Sequence, residues 1–204
     1  NWYDNGYPPV FYATMSAFVS EDLSASIVTM RAVNVAIFLV VLCALFWLLP
    51  SKMKHVLVWG TLIGIVPLGM FLIPSVNPSS WAILQASGLW LSVWGFFEQS
   101  GKKKLGLAVV ATALMVIGAG ARGDAAAYGV VALAVAVVLG WRRDRRFLVE
   151  LILPLGQGRI AAGFFLSSGQ SGVLTAETTT GTSDLFTLIG ATLQDLPRMW
   201  IGAL

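Results

Sequence analysis

Six long apolar runs, separated by short polar or basic clusters, set the pattern of this chain. They cover residues 27–49, 56–73, 81–97, 105–121, 125–141 and 147–166. Each is close to the roughly 20 residues that an α-helix needs to cross a bilayer. The pattern predicts an all-α, polytopic transmembrane bundle of about six spans, in one domain over residues 1–204. Before the first run, residues 7–18 are aromatic, open on Pro8-Pro9 and are too short to span, so they read as an interfacial helix. Glu21, Asp22 and Ser24 then offer a helix start. Residues 1–26 thus form an outer-face segment, 27–166 the membrane spans, and 167–204 an outer-face loop followed by an amphipathic stretch.

Breakers divide the runs. Pro50 stops the first, Pro67 predicts a kink in the second, and residues 74–80 form a turn-rich loop. The weakest run is the sixth, where Glu150, Gln157 and Arg159 interrupt the apolar sequence. Charges at mid-membrane cost several kcal/mol unless they face protein or water. Gly118, Gly120, Gly123 and Gly129, among many alanines, predict close packing of the fourth and fifth spans; a substrate groove is the competing reading.

Composition agrees with lipid as the solvent. Soluble domains carry about 25% charged residues. This chain has 11%, with 57% apolar residues and a mean hydropathy of +0.79. The net charge of +3 does not point to nucleic acid, because the cations sit in clusters between apolar runs rather than along one polar face. The single cysteine, Cys43, lies inside an apolar run and reads as a buried structural thiol. One cysteine and one histidine do not make a conventional zinc site. The opening Asn1-Trp2-Tyr3-Asp4 suggests a fragment of a longer protein, lacking a first span and outer loop.

Charge supplies a direction. Lys52 and Lys54, Lys102 to Lys104, and Arg142 to Arg146 follow the first, third and fifth runs. The positive-inside rule puts all three clusters, read as loops that include 51–55 and 99–104, on the cytoplasmic side, and the N-terminal segment outside. In a bacterial cell this describes a multi-pass protein of the inner (plasma) membrane. Asp4, Arg31, Asn34, Asn77, Arg122, Asp124 and Tyr128 then gather at the outer face. Simple structural roles exist for each. Arg31 can snorkel to headgroups. Arg122 and Asp124 can pair or cap a helix. Asn77-Pro78-Ser79-Ser80 before Trp81 reads as an N-cap with an interfacial anchor, and Asp4 with Asn5 shapes a turn. Taken together, they offer a chemical site. Guanidinium groups match phosphate geometry bidentately, and a nearby carboxylate can serve as general base for a sugar hydroxyl.

The order of short motifs is more specific than any one of them. Asn5-Gly6-Tyr7-Pro8-Pro9-Val10-Phe11-Tyr12, Met30-Arg31 with Asn34, Asn77-Pro78-Ser79-Ser80-Trp81, Ala121-Arg122-Gly123-Asp124 and Leu196-Pro197-Arg198-Met199-Trp200-Ile201-Gly202 resemble a family of bacterial predicted membrane proteins of unknown function (DUF2142-like). That family looks related to GT-C-type sugar transferases, which are multi-pass proteins using polyprenyl-phosphate-linked donors. Such proteins usually carry a catalytic acid in a first long outer loop, and this early acidic motif is absent here.

The resemblance implies a membrane glycosyltransferase-like protein that moves a sugar from a polyprenyl-phosphate donor during cell-envelope glycan assembly. Arg31 and Arg122 would bind the donor phosphate, with Asn34, Asn77 and Tyr128 lining the substrate site. Asp124, and second to it Asp4, would act catalytically or hold a divalent metal, the one cofactor the reading suggests. Partners would be membrane lipids, the lipid-linked sugar donor and envelope-assembly proteins, with no nucleic acid. Two other classes remain open. One is a transporter or flippase for lipid-linked sugars, with Pro67 and the sixth run lining a polar path; the other is a non-catalytic scaffold.

Overall fold

The computed structural model describes residues 8–65 and 67–168, and every regular element among them is helical. The helices are α1 (Val10–Ser16), α2 (Leu23–Leu48), α3 (Ser51–Gly64), α4 (Pro67–Leu72), α5 (Ser79–Glu98), α6 (Gly101–Ala119), α7 (Gly123–Leu139), α8 (Arg145–Glu150) and α9 (Ile152–Ser167). The expected all-α class is met. Two stretches are both long and apolar enough to cross a membrane by themselves: α2, and Arg145–Ser167 across α8 and α9. Helix α7 is equally apolar but shorter, at 17 residues. Helices α5 and α6 carry more polar residues: α5 holds Gln85, Ser87 and Ser92, and α6 opens on three lysines.

Several boundaries differ from the sequence reading, for local reasons. Asp22 caps α2 as expected, its Oδ1 accepting from the amides of Ser24 and Ala25 at 2.8 and 3.1 Å. The expected loop at 51–55 is instead the first turn of α3, because Pro50 is extended (ψ 149°) and lets a new helix start at once. Lys102 to Lys104 likewise sit in the first turn of α6 rather than in a loop, after Gly101 reverses the chain with a φ of +60°. The second run is two helices, α3 and α4, with the break just before Pro67. The sixth run also breaks at Leu151, between α8 and α9.

Helix α5 is the axis of the fold. It packs most extensively on α6 and α7, more than those two pack on each other. Its buried face runs the whole helix, from Trp81 and Leu84 to Val93 and Phe97. Glycines let the neighbours approach. A Cβ at Gly88 would come within 2.9 Å of Leu114, and one at Gly95 within 2.5 Å of Leu49. Gly118 of α6 and Gly129 of α7 both face Gln85, whose Nε2 would lie 2.6 Å from a Cβ at Gly129. The notches expected to seat α6 and α7 on each other therefore serve α5 instead, whose Gln85 side chain fills both. Helix α9 packs on both α6 and α7.

Helices α2 and α3 attach more lightly, through Leu45, Leu48, Met53 and Leu57 packed with Leu91 and Leu107. Their other faces are bare and apolar. Trp47 is 71% exposed, Trp59 63% and Val28 66%. Water would not tolerate so continuous an apolar face on a monomer. Cys43 lies on this face and is exposed, which corrects the expectation of a buried thiol. An apolar run signals burial in some apolar medium, but not that the medium is protein.

Candidate functional site

The short connections sort the polar residues into two groups at opposite ends of the long helices. At one end meet α1, the start of α5 and the α6–α7 turn. The backbone amide of Val10 donates to the Gly120 carbonyl at 3.0 Å, and Phe11 is buried edge-on against Trp81, with ring centroids 5.0 Å apart. The α1 helix is thus docked on the bundle through its apolar side.

Asn34, three residues after Arg31 on α2, joins three parts of this end. Its Nδ2 donates to the Ser75 carbonyl at 2.7 Å, and its Oδ1 accepts from Trp81 Nε1 at 2.9 Å. It is 3% exposed. Both ends of the amide are occupied internally, so the geometry gives Asn34 a bracing role. Trp81 is buried, which corrects its reading as an interfacial anchor: the indole N–H is satisfied by Asn34 and needs no headgroup. Asn77 is exposed and stabilises the start of α5. Its Oδ1 accepts from the Ser79 amide at 2.9 Å, and its carbonyl accepts from the Ser80 hydroxyl at 2.8 Å.

Ser79 carries the strip of contacts onward. Its Oγ accepts from Arg122 Nη1 at 2.8 Å. Arg122 also grips Asp124 in a two-pronged pair, Nε to Oδ1 at 2.9 Å and Nη2 to Oδ2 at 2.6 Å. Gly123 between them is buried, so no side chain intervenes. Asp124 lies in the first turn of α7, where a negative charge suits the helix dipole. The hydrogen bonds from Arg122 hold its carboxyl below the ordinary carboxylate range. Such a group is a weak proton acceptor near neutral pH. Its chemistry here is to hold Arg122 flat and in place.

The remaining predicted residues are not drawn into this strip. Arg31 is exposed on α2 and makes no side-chain bond with another described residue. Tyr128 is 61% exposed, one turn beyond Asp124, at the wall of an apolar groove between α5 and α7 that also takes in Trp90 and Val131. That groove has a volume of about 360 Å³. Asp4 and the motif at 196–202 lie outside the described residues. Among the described residues no three His, Cys, Asp or Glu side chains converge on a metal position.

The other end is basic. Glu150, which interrupts the apolar pattern of the sixth run, is buried here and pairs with Lys104 and with Arg146 at 2.9 Å, with Arg142 at 4.0 Å. Glu98 pairs with Lys52 at 2.5 Å, Gln99 donates to the Leu48 carbonyl at 2.9 Å, and Arg142 donates to the Phe97 carbonyl. The sequence shows every cation in this group but not the role of Glu150, because the partner that ties it to another helix, Lys104, lies 46 residues away along the chain. Two amides are also buried within the helices: Gln85, which the sequence does not single out, and Gln157, which interrupts the sixth run. Gln85 donates weakly to Met115 Sδ at 3.4 Å, and Gln157 contacts Thr112 Oγ1 at 3.4 Å. Each has an Oε1 with no partner among the described residues.

A family model described as "Predicted membrane protein (DUF2142)" matches residues 1–194. The chain belongs to this family. Membership in DUF2142 gives the bare faces of α2 and α3 their medium, since a membrane protein turns such surfaces to lipid. Neither a curated protein nor a solved structure matches this DUF2142 chain.

Proposed function

We propose that this DUF2142 protein is a multi-pass protein of a bacterial inner membrane, with six spans formed by α2, α3–α4, α5, α6, α7 from Ala125 onward and α8–α9, so that Arg122 and Asp124 stand outside the spans. In this reading it is glycosyltransferase-like and takes its sugar from a polyprenyl-phosphate donor. The observation that carries it is the position of Arg122. Its guanidinium is fixed by Ser79 and Asp124, remains about one-third exposed, and stands at the polar end of the bundle beside the start of α7. A preorganised, part-exposed arginine suits a phosphate oxygen. The α5–α7 groove beside Tyr128 begins one helical turn away and would take an apolar tail. Asp124 orients Arg122, and exposed Arg31 supplies a second positive charge on α2. The basic end would face the cytoplasm, opposite the site.

The test replaces Arg122 by Ala and by Lys in the full protein and measures envelope glycan composition, with protein level as control. Glycan should fall at least about tenfold in the alanine variant, as when a transition-state donor is lost, and recover in part in the lysine variant. Unchanged glycan at normal protein level would exclude the role. A transport reading has one observation in its favour: Gln85 and Gln157 place unsatisfied amide oxygens at mid-height in the bundle. Movement of a labelled lipid-linked sugar across vesicles without bond cleavage, lost on Gln85→Leu, would favour transport over transfer.

A further inference from the structure

We propose that the basic end of the bundle is a docking surface for the phosphates of anionic phospholipids. This rests on the membrane-embedded part of the reading above, and not on sugar transfer. Nine of the chain's 13 lysines and arginines belong to this end, against three carboxylates. Each carboxylate is already used. Glu98 takes Lys52, Glu150 takes Lys104, Arg142 and Arg146, and Asp144 accepts from the Phe147 amide at 2.6 Å to start α8. Lys102, Lys103, Arg143 and Arg145 are left exposed, with no ion pair among the described residues.

These four cations form one surface. Lys104 follows Lys102 and Lys103 on α6, and its bond to Glu150 ties that helix start to the Arg142–Arg146 segment. Helix stability does not account for the arrangement. Lys102 and Lys103 stand in the first turn of α6, where the dipole disfavours positive charge. An external anion removes that penalty. The surface also has the flanking chemistry of a headgroup region. Trp141, just past α7, and Trp47, in the last turn of α2, are exposed at this end, at 63% and 71%, and amphipathic rings settle at the membrane–water boundary. A polybasic surface at this level attracts phosphatidylglycerol or cardiolipin through their phosphates.

The experiment reconstitutes the full protein in phosphatidylcholine vesicles. Spin-labelled phosphatidylglycerol, cardiolipin or phosphatidylcholine is added, and the fraction held motionally restricted at the protein surface is read by electron spin resonance. The anionic lipids should associate at least about threefold more strongly than phosphatidylcholine. The preference should shrink as salt rises. It should approach equality in the variant with Lys102→Gln, Lys103→Gln, Arg143→Gln and Arg145→Gln, which removes only exposed groups. Equal association of all three lipids with the wild-type protein overturns the proposal, as does full preference in the variant. If that variant fails to fold, the salt series on the wild-type protein decides. A complete lack of restricted lipid would overturn membrane embedding as well. No sugar donor is present, so failure of the transferase reading leaves this result standing.

Discussion

The two ends of the bundle solve the same problem, the packing of charge beside apolar helices, in different ways. At the basic end one buried carboxylate, Glu150, serves three cations that come from two separate connections. At the opposite end Arg122 meets its carboxylate two residues away and stays part-exposed. The first arrangement is a long-range lock: it joins α6 to the segment that starts α8. The second is local, and its guanidinium stays about one-third exposed. Pairs that hold a fold together bury their carboxylate and recruit from afar, whereas a pair suited to binding keeps its cation within reach of solvent.

The sharpest break in this comparison is Glu150→Ala. Removing the hub leaves Lys104 without an anion in a largely buried position. Loss of one partner of a buried pair costs about 3 kcal/mol or more. Thermal unfolding in detergent should show a clear drop, and Glu150→Gln should recover only part of it. A variant as stable as the wild-type protein would mean that the lock is not needed. The next largest effect belongs to Asn34→Ala at the polar end. It strands the buried Trp81 N–H and frees the Ser75 carbonyl, at a cost of about 2 kcal/mol. Asn34→Asp keeps the acceptor for Trp81 while losing the donor to Ser75, so it should behave differently from alanine. Equal stability of Asn34→Ala and wild type would remove the brace from the account.

Much of this architecture is legible in the sequence, for identifiable reasons. Helical class and the sorting of basic and polar connections follow from residue type and order. The Asp22 cap and the Arg122–Asp124 pair are local, and so were readable. What was not readable depends on partners distant in sequence. Glu150 looked like a fault in a span until Lys104 was placed beside it. Trp81 looked like a surface anchor until Asn34 took its N–H. The helix starts at Ser51 and Gly101 are hidden in the sequence because basic residues suggest loops, although lysines are good helix formers once the chain has turned. Gln85 gives no signal in the sequence because an isolated amide carries no motif, and only the notches at Gly118 and Gly129 reveal where it goes.

The smallest expected effect probes the local pair at the polar end. The Asp124 carboxyl is held below its ordinary value of 3.8, chiefly by the hydrogen bonds from Arg122. A carboxylate whose pKa is lowered on folding stabilises the fold above its unfolded value. That contribution disappears as the pH falls through the lowered folded value. Unfolding measured from neutral to strongly acid pH should therefore give parallel curves for wild type and Asp124→Asn until the acid limb. There the wild-type curve should descend toward that of the variant. The difference should be small, because the pair is part-exposed and water screens it. Salt should reduce it further, while the same salt should have little effect on the buried Glu150 lock. A wild-type curve that stays parallel to the variant through the acid limb would show that Arg122 does not hold Asp124 ionised. The polar end would then lose the fixed guanidinium on which its proposed chemistry depends.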